Sequence, residues 1–251
     1  MTYRLGRLPR LRLPHVPHLS SIVAGLDLPP LPASCDWTQA LSGSLGVMLN
    51  DQLGDCTCAA WGHAVQVWTA NTGKMLTLPD SDIEDLYELA CGYKPGDAST
   101  DQGGVEQLVL SYLVKNGLAG HKLSAFVEVD PRNLDDVKRA IWADGVAYIG
   151  FQVPDYLMSS LTAPGSDWDT RPGPVRIEGG HAVILAGYGF GRFQVISWGQ
   201  QYTMTERFLQ RYCDEVYMLA DTEWLTAKGM TPLGQTLVDL EQQMRSLKEA
   251  A

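Results

Sequence analysis

An α+β fold, a helical half followed by a sheet half, is predicted by two changes along the chain. Between residues 56 and 145 apolar side chains recur at helical spacing in four segments. From residue 145 the period changes to short runs rich in Val, Ile, Tyr and Phe, bounded by glycine. Helices first and strands second is the order expected when the two kinds of element segregate into separate halves. With 251 residues, 45% of them apolar and 19% charged, the chain has material for a substantial core.

The elements follow in order. Residues 1–34 hold prolines at 9, 14, 17, 29, 30 and 32, which rule out a long helix or a central strand and predict an extended, partly polyproline arm. Arg4, Arg7, Arg10 and Arg12 all precede the first acidic residue, Asp27. Setting those four aside leaves 15 of the 19 basic residues against 29 acidic ones, so a basic arm stands before an acidic body. Its leucines and Val16 offer contact area and its arginines seek acids, the expectation being an arm that lies on a partner. Arginines and prolines stand where a signal peptide needs an apolar run, which predicts no export by that route. An odd set of five cysteines predicts reduced thiols in a cytosolic setting. A net charge of −10 and a pI near 4.9 argue against a nucleic-acid surface, and no apolar run is long enough to span a membrane.

The body is expected over residues 35–228. "CTCAAWGHAVQVWTANTG" reads as a helix with Asp55 as its N-cap, stopped at Asn71–Gly73. "DSDIEDLYELACGY" and "GGVEQLVLSYLVKNG" read as the second and third helices, and "NLDDVKRAIWADG", capped at Asn133, as the fourth. "GVAYIGFQV", "HAVILAGYGF", "RFQVISWG" and "EVYMLAD" read as strands, the middle two as a hairpin. Residues 154–180, with four prolines, form a long loop of the kind that builds binding walls. Last, Leu233, Leu237, Leu240, Met244 and Leu247 make a short heptad seam over 229–251, expected to pack on the body or on another subunit.

Chemistry concentrates in "NDQLGDCTCAA". Asn50 lies six residues before Cys56, and Gln52 six before Cys58. A cysteine at a helix N-terminus meets unpaired N–H groups and a positive dipole end, which favour thiolate. The same N–H groups, with an upstream amide, can hold a tetrahedral oxyanion. A general base must come from elsewhere. His63 lies two turns along the same helix, about 10 Å away by the rise per residue. His181 opens an apolar strand behind Gly179–Gly180, where a side chain can face a cleft from a rigid base. A C-x-C pair without a second ligand pair makes a metal site improbable, and "GYGFGR" joins two strands with no helix after it, so neither a metal nor a nucleotide cofactor is expected. Cys58, Cys91, Cys213, Trp68, Trp142 and Trp198 are read as core residues.

With these residues in place, "QLGDCTCAAW", "GGHAVILAGYG" and "FQVISWG" resemble the papain-like cysteine peptidases, in matching order over about residues 35–220. The segments "LPDSDIEDLYELACGY", "DQGGVEQLVLSYLVKNGL" and "LDDVKRAIWADGVAYIGFQV" resemble that family's intermediate elements. N-D-x-x-G-D-C-T with a late S-W-G is similar to a divergent group found in bacteria and phages. The resemblance implies a papain-like α+β fold and a thiol hydrolase of peptide or amide bonds, without a cofactor. Cys56 would be nucleophile, His181 base and Asn50 oxyanion donor, with Cys58 and Gln52 as the second choice. Trp168 and Arg171 would form one wall of a peptide- or protein-binding cleft, and Gly179 and Gly180 its floor. In the family an asparagine precedes S-W-G; here that position is Ile196, which leaves Ser197 to position the imidazole. That departure gives weight to a rival expectation, a weakly active or inactive papain-like body serving as a structural or adaptor component of a phage particle, assembled through residues 1–34 and 233–247.

Overall fold

The computed structural model describes residues 4–14, 16–24, 27–158, 165–221 and 224. The heptad seam of Leu233 to Leu247 lies outside the described residues. In chain order the elements are helix α1 (Leu19–Val23), strand β1 (Cys35–Asp36), helices α2 (Cys56–Thr72), α3 (Asp80–Cys91) and α4 (Glu106–Lys115), strand β2 (Leu123–Glu128) and helix α5 (Leu134–Asp144). There follow strand β3 (Ala147–Pro154), helix α6 (Asp155–Met158), strands β4 (Asp167–Trp168), β5 (Ile177–Gly189), β6 (Arg192–Ser197) and β7 (Gln200–Thr205), helix α7 (Glu206–Tyr212) and strand β8 (Cys213–Asp221). The α+β class is as the sequence predicts.

Among the described residues the strands form one sheet in the order β2-β8-β3-β5-β6-β7-β4, with β1 added on β5. Its pairs are antiparallel except β4 with β7. The two-residue period of β5 divides the core. Ala182, Ile184 and Ala186 join one apolar cluster with α2, α3 and α4, whereas Val183 and Leu185 join a second cluster with α5 and α7 behind the sheet. Every residue of α2 from Cys56 to Trp68 is buried, mostly apolar, with Thr57, His63 and Gln66 as buried polar exceptions, so this helix runs through the core. Gly62 has no room for a side chain, since a Cβ there would stand 2.3 Å from the Met48 sulfur. Tyr148 Oη donates to the Thr57 carbonyl (2.6 Å) and Trp68 Nε1 to the Asp144 carbonyl (2.6 Å), tying α2 to β3 and to the end of α5.

Five elements outside the 154–180 segment went unread in the sequence: α1, which lies in the arm expected to be extended, and β1, β2, β7 and α7. The loop expected over 154–180 contains α6 and β4, and β5 begins inside it at Ile177. Trp168 therefore does not line a cleft. It is fully buried behind the sheet against Phe151, Tyr202 and Phe208, because β4 pairs with β7 and carries the indole into the second core. Arg171 stacks on the Tyr156 ring, 4.8 Å from its centroid.

The arm lies on its own body. Arg4 N–H donates to the Asn50 carbonyl, Arg7 N–H to the Gly180 carbonyl (3.1 Å), Leu8 N–H to the Gly104 carbonyl (2.9 Å) and Gly104 N–H to the Gly6 carbonyl (2.8 Å). Farther along, Arg10 pairs with Glu128, the Glu128 N–H donates to the Pro17 carbonyl, Arg139 reaches the Pro29 carbonyl and Tyr188 Oη the Pro32 carbonyl.

Candidate active site

The cleft lies where three glycine-containing segments meet: Gly54 before α2, Gly103–Gly104 before α4, and Gly179–Gly180 at the start of β5. Residues 5–8 of the arm thread between them, and the fit is close. A Cβ on Gly6 would fall 1.8 Å from the Gly54 carbonyl oxygen, and one on Gly103, where φ is +86°, would fall 2.1 Å from the Gly6 oxygen. Only glycine passes at both positions.

Cys56 is the first residue of α2 and is 1% exposed. Burial pushes its thiol up to about 12, and the neighbouring Asp55 and Glu106 carboxylates add to the effect. The backbone amides of Ala182 and Gly6 act in the opposite direction and lower it. Cys58 sits elsewhere: fully buried, it interacts with Cys91 of α3 and stands 3.9 Å from the Thr57 hydroxyl. All five cysteines are free thiols.

His181 is 1% exposed. Its Nε2 is 2.8 Å from Ser197 Oγ, its ring stacks on Trp198 with centroids 4.1 Å apart, and Phe151 meets it edge-on. Nδ1 has no hydrogen-bond partner. Burial lowers its pKa to about 3, with His63 as a second cause. His63 is itself buried, lowered to about 4 by desolvation, and hydrogen-bonds Gln66 (2.9 Å).

Asn50 differs from the oxyanion donor expected of it. Its Nδ2 donates to the Leu53 carbonyl (3.1 Å) and to Asp55 Oδ1 (3.0 Å), so both amide hydrogens are used inside the turn that precedes α2. Asp55 occupies the N-cap position, yet its carboxylate makes no cap hydrogen bond; it takes the Asn50 amide instead, and burial raises its pKa well above the usual range. Gln52 is exposed. Gly179 and Gly180 do lie in the cleft: a Cβ on Gly179 would meet the Leu5 side chain at 3.1 Å, and one on Gly180 the Arg7 carbonyl oxygen at 2.6 Å.

Beside the thiol the cleft holds a feature that the sequence reading missed. Arg7 is buried, with Nε 3.0 Å from Glu106 Oε1, Nη2 2.5 Å from Asp214 Oδ1, and the same Nη2 on Glu215. The coarse signal was a basic arm ahead of an acidic body. Its partners could not be chosen from the sequence, since they lie more than 90 positions away. Among the described residues no cluster of His, Cys, Asp and Glu could hold a metal ion, and no helix is long and apolar enough to cross a membrane.

No family model matches the sequence, and no curated protein matches it. Solved structures do. Xylellain, a cysteine protease from Xylella fastidiosa, superposes with a TM-score of 0.68 at 15% identity, over 87% of this chain and 96% of that one. The fold is papain-like. Digestive procathepsin L 3 from Tenebrio molitor larval midgut gives 0.58 at 17% identity, over 87% and 76% of the two chains. The Carica candamarcensis cysteine protease CMS1MS2, in complex with E-64, gives 0.54 at 16% identity, over 76% and 99%. In this papain-like frame a helix that begins with a cysteine packs on a strand that begins near a histidine, and the arm lies along the groove between the two halves.

Proposed function

We propose that this protein is a thiol hydrolase of peptide or amide bonds, held closed by its own arm. The observation that carries the reading is a juxtaposition: α2, which begins at Cys56, packs on β5, which carries His181 with its Nδ1 unpaired. With the arm displaced, water reaches both groups, and the burial that holds the thiol near 12 and the imidazole near 3 is relieved. The thiol proton then passes to His181 Nδ1, the nitrogen left without a partner, while Ser197 holds Nε2. The thiolate attacks the carbonyl carbon, and the Cys56 N–H, at the positive end of α2, stabilises the oxyanion. His181 returns the proton to the leaving amine. A water deprotonated by His181 then hydrolyses the thioester and regenerates the thiol.

The arm supports latency because its backbone occupies the groove, packed on Gly54, Gly104 and Gly180. The Tenebrio neighbour is likewise a procathepsin. The test loosens the arm in the full-length chain through Arg7→Ala and follows cleavage of a fluorogenic peptide amide. Adding Cys56→Ala abolishes cleavage and adding Cys58→Ala does not; cleavage that survives Cys56→Ala overturns the assignment.

A second reading, a structural or adaptor body that works by binding, is favoured by Ile196 in place of the orienting asparagine and by a Cys–His pair held neutral. A loosened arm that exposes an ordinary thiol without cleavage decides for it.

A further inference from the structure

We propose that the acidic pocket beside Cys56 is a specificity site for an arginine side chain, and that Arg7 fills it as a stand-in for the arginine of a substrate or partner peptide. The proposal rests on reading the groove as a peptide-binding site. All the walls belong to the body: Glu106 comes from the first turn of α4, Asp214 and Glu215 from the start of β8, and Gly150 from β3. The occupant comes from the extended arm, which backbone hydrogen bonds, the Leu5 side chain and this side chain hold in the groove.

Gly150 makes the space. A Cβ there would lie 2.1 Å from Arg7 Nε and 2.1 Å from Glu106 Oε1, so any other residue at this position closes the pocket. Gly180 does the same at the mouth, where a Cβ would meet the Arg7 carbonyl oxygen. Glu106 and Glu215 are fully buried, while Asp214 is 44% exposed and marks the open side. Tyr217 Oη fixes Glu215 by donating to Oε2 (2.6 Å), leaving Oε1 for the guanidinium.

The arrangement suits a planar fork and not a point charge. Glu106 faces Nε while Asp214 and Glu215 share Nη2, so the acceptors lie around two different nitrogens of one guanidinium. A lysine ammonium would reach one group and leave the other uncompensated. Neither oxygen of Glu106 completes a hydrogen bond even with Arg7 present, the 3.0 Å ion pair being off-angle. Emptying the pocket removes the guanidinium that lowers the Glu106 pKa and pairs with Glu215, and an arriving guanidinium restores both interactions. Gly6 packs on Gly54, two residues before Cys56, while Arg7 lies in the pocket, so the selected arginine sits one residue from the residue nearest the head of α2.

The test uses full-length Arg7→Ala and a tetrapeptide of residues 5–8 capped at both ends, compared with its citrulline analogue, in which the guanidinium is replaced by a neutral isostere. The arginine peptide is expected to bind at least about 30-fold more tightly than the citrulline peptide, as removal of one charge from a buried pair requires. Glu106→Gln, added to Arg7→Ala, is expected to remove most of that ratio. Equal binding of the two peptides, or no saturable binding by folded Arg7→Ala, overturns the proposal. Should Arg7→Ala not fold, Arg7→Lys carries the same comparison, and its weaker arm must yield to the arginine peptide and not to the citrulline one. Cleavage is read separately on arginine and citrulline peptide amides. Selective binding without cleavage leaves the pocket standing and removes the hydrolase; cleavage indifferent to arginine leaves the hydrolase and removes the pocket.

Discussion

The cleft around Cys56 and the core behind the sheet share strands β3, β5 and β8, and they satisfy their buried atoms in opposite ways. Behind the sheet the contacts are aliphatic and ring on ring, Phe151 with Trp168 and Phe208, and Trp168 with Tyr202. In the cleft the buried groups are Arg7, Glu106, Glu215, His181 and Asp55. There His181 Nδ1, Asp55 Oδ2 and both Glu106 oxygens lack hydrogen-bond partners. Each such group costs about 1–3 kcal/mol of desolvation. Behind the sheet Trp168 Nε1 is also unpaired, so the contrast lies in the charged groups, which gather in the cleft where the arm enters.

The comparison can be sharpened by perturbing each side. The largest effect is expected from Cys56→Ala in the loosened-arm background, a loss of about 10³-fold or more in peptide-amide cleavage, read by fluorogenic assay; stability should barely change. Trp168→Ala should do the reverse, costing about 3–5 kcal/mol by chemical denaturation while leaving the alkylation rate of Cys56 in the folded protein unchanged. A change in thiol reactivity without a loss of stability would erase the distinction between the two sides.

Ser197→Ala removes the partner of His181 Nε2 and is expected to lower cleavage about tenfold, in line with about 1–1.5 kcal/mol for a hydrogen bond, and to shift its pH profile; an unchanged profile would mean that the Trp198 stack positions the ring without Ser197. The smallest effect is in pH. His181 and His63 have folded values of about 3 and 4 against 6.5 in the unfolded chain, so the unfolded chain binds more protons between those values. Their contribution to stability is complete above pH 6.5 and is lost as pH falls through that window. Glu106, raised well above its ordinary value, acts with the opposite sign, losing stability as pH rises through its folded value. Thermal melts between pH 7 and 4 should therefore show a shallower acid loss in His63→Gln than in the parent protein; equal slopes would mean that His63 is not buried neutral.

Much of this was legible without coordinates. The alanine-rich run from Cys56 to Asn71–Gly73 located α2, although Asp55 at its N-cap position makes no cap hydrogen bond, and the apolar run after Gly180 located all but the first residues of β5, because local composition governs which element a segment forms. β7 and α7 escaped because "QQYTMT" exposes Gln200 and Gln201 and passes without a break into a helix that Thr205 caps through the Phe208 N–H (3.2 Å). Trp168 misled because a tryptophan in a proline-rich loop looks available, whereas a two-residue pairing with β7 tucks it into the core.

By itself the sequence determined the class of fold, the cysteine at a helix head and the histidine on a strand, all consequences of local chemistry and period. The tertiary structure decided that the arm lies on its own body, that Asn50 spends its amide on Asp55, and that Glu106, Asp214 and Glu215 surround Arg7. These depend on which residues distant in the chain become neighbours when α2 and α4 pack against the sheet, and no spacing along the chain encodes that distance.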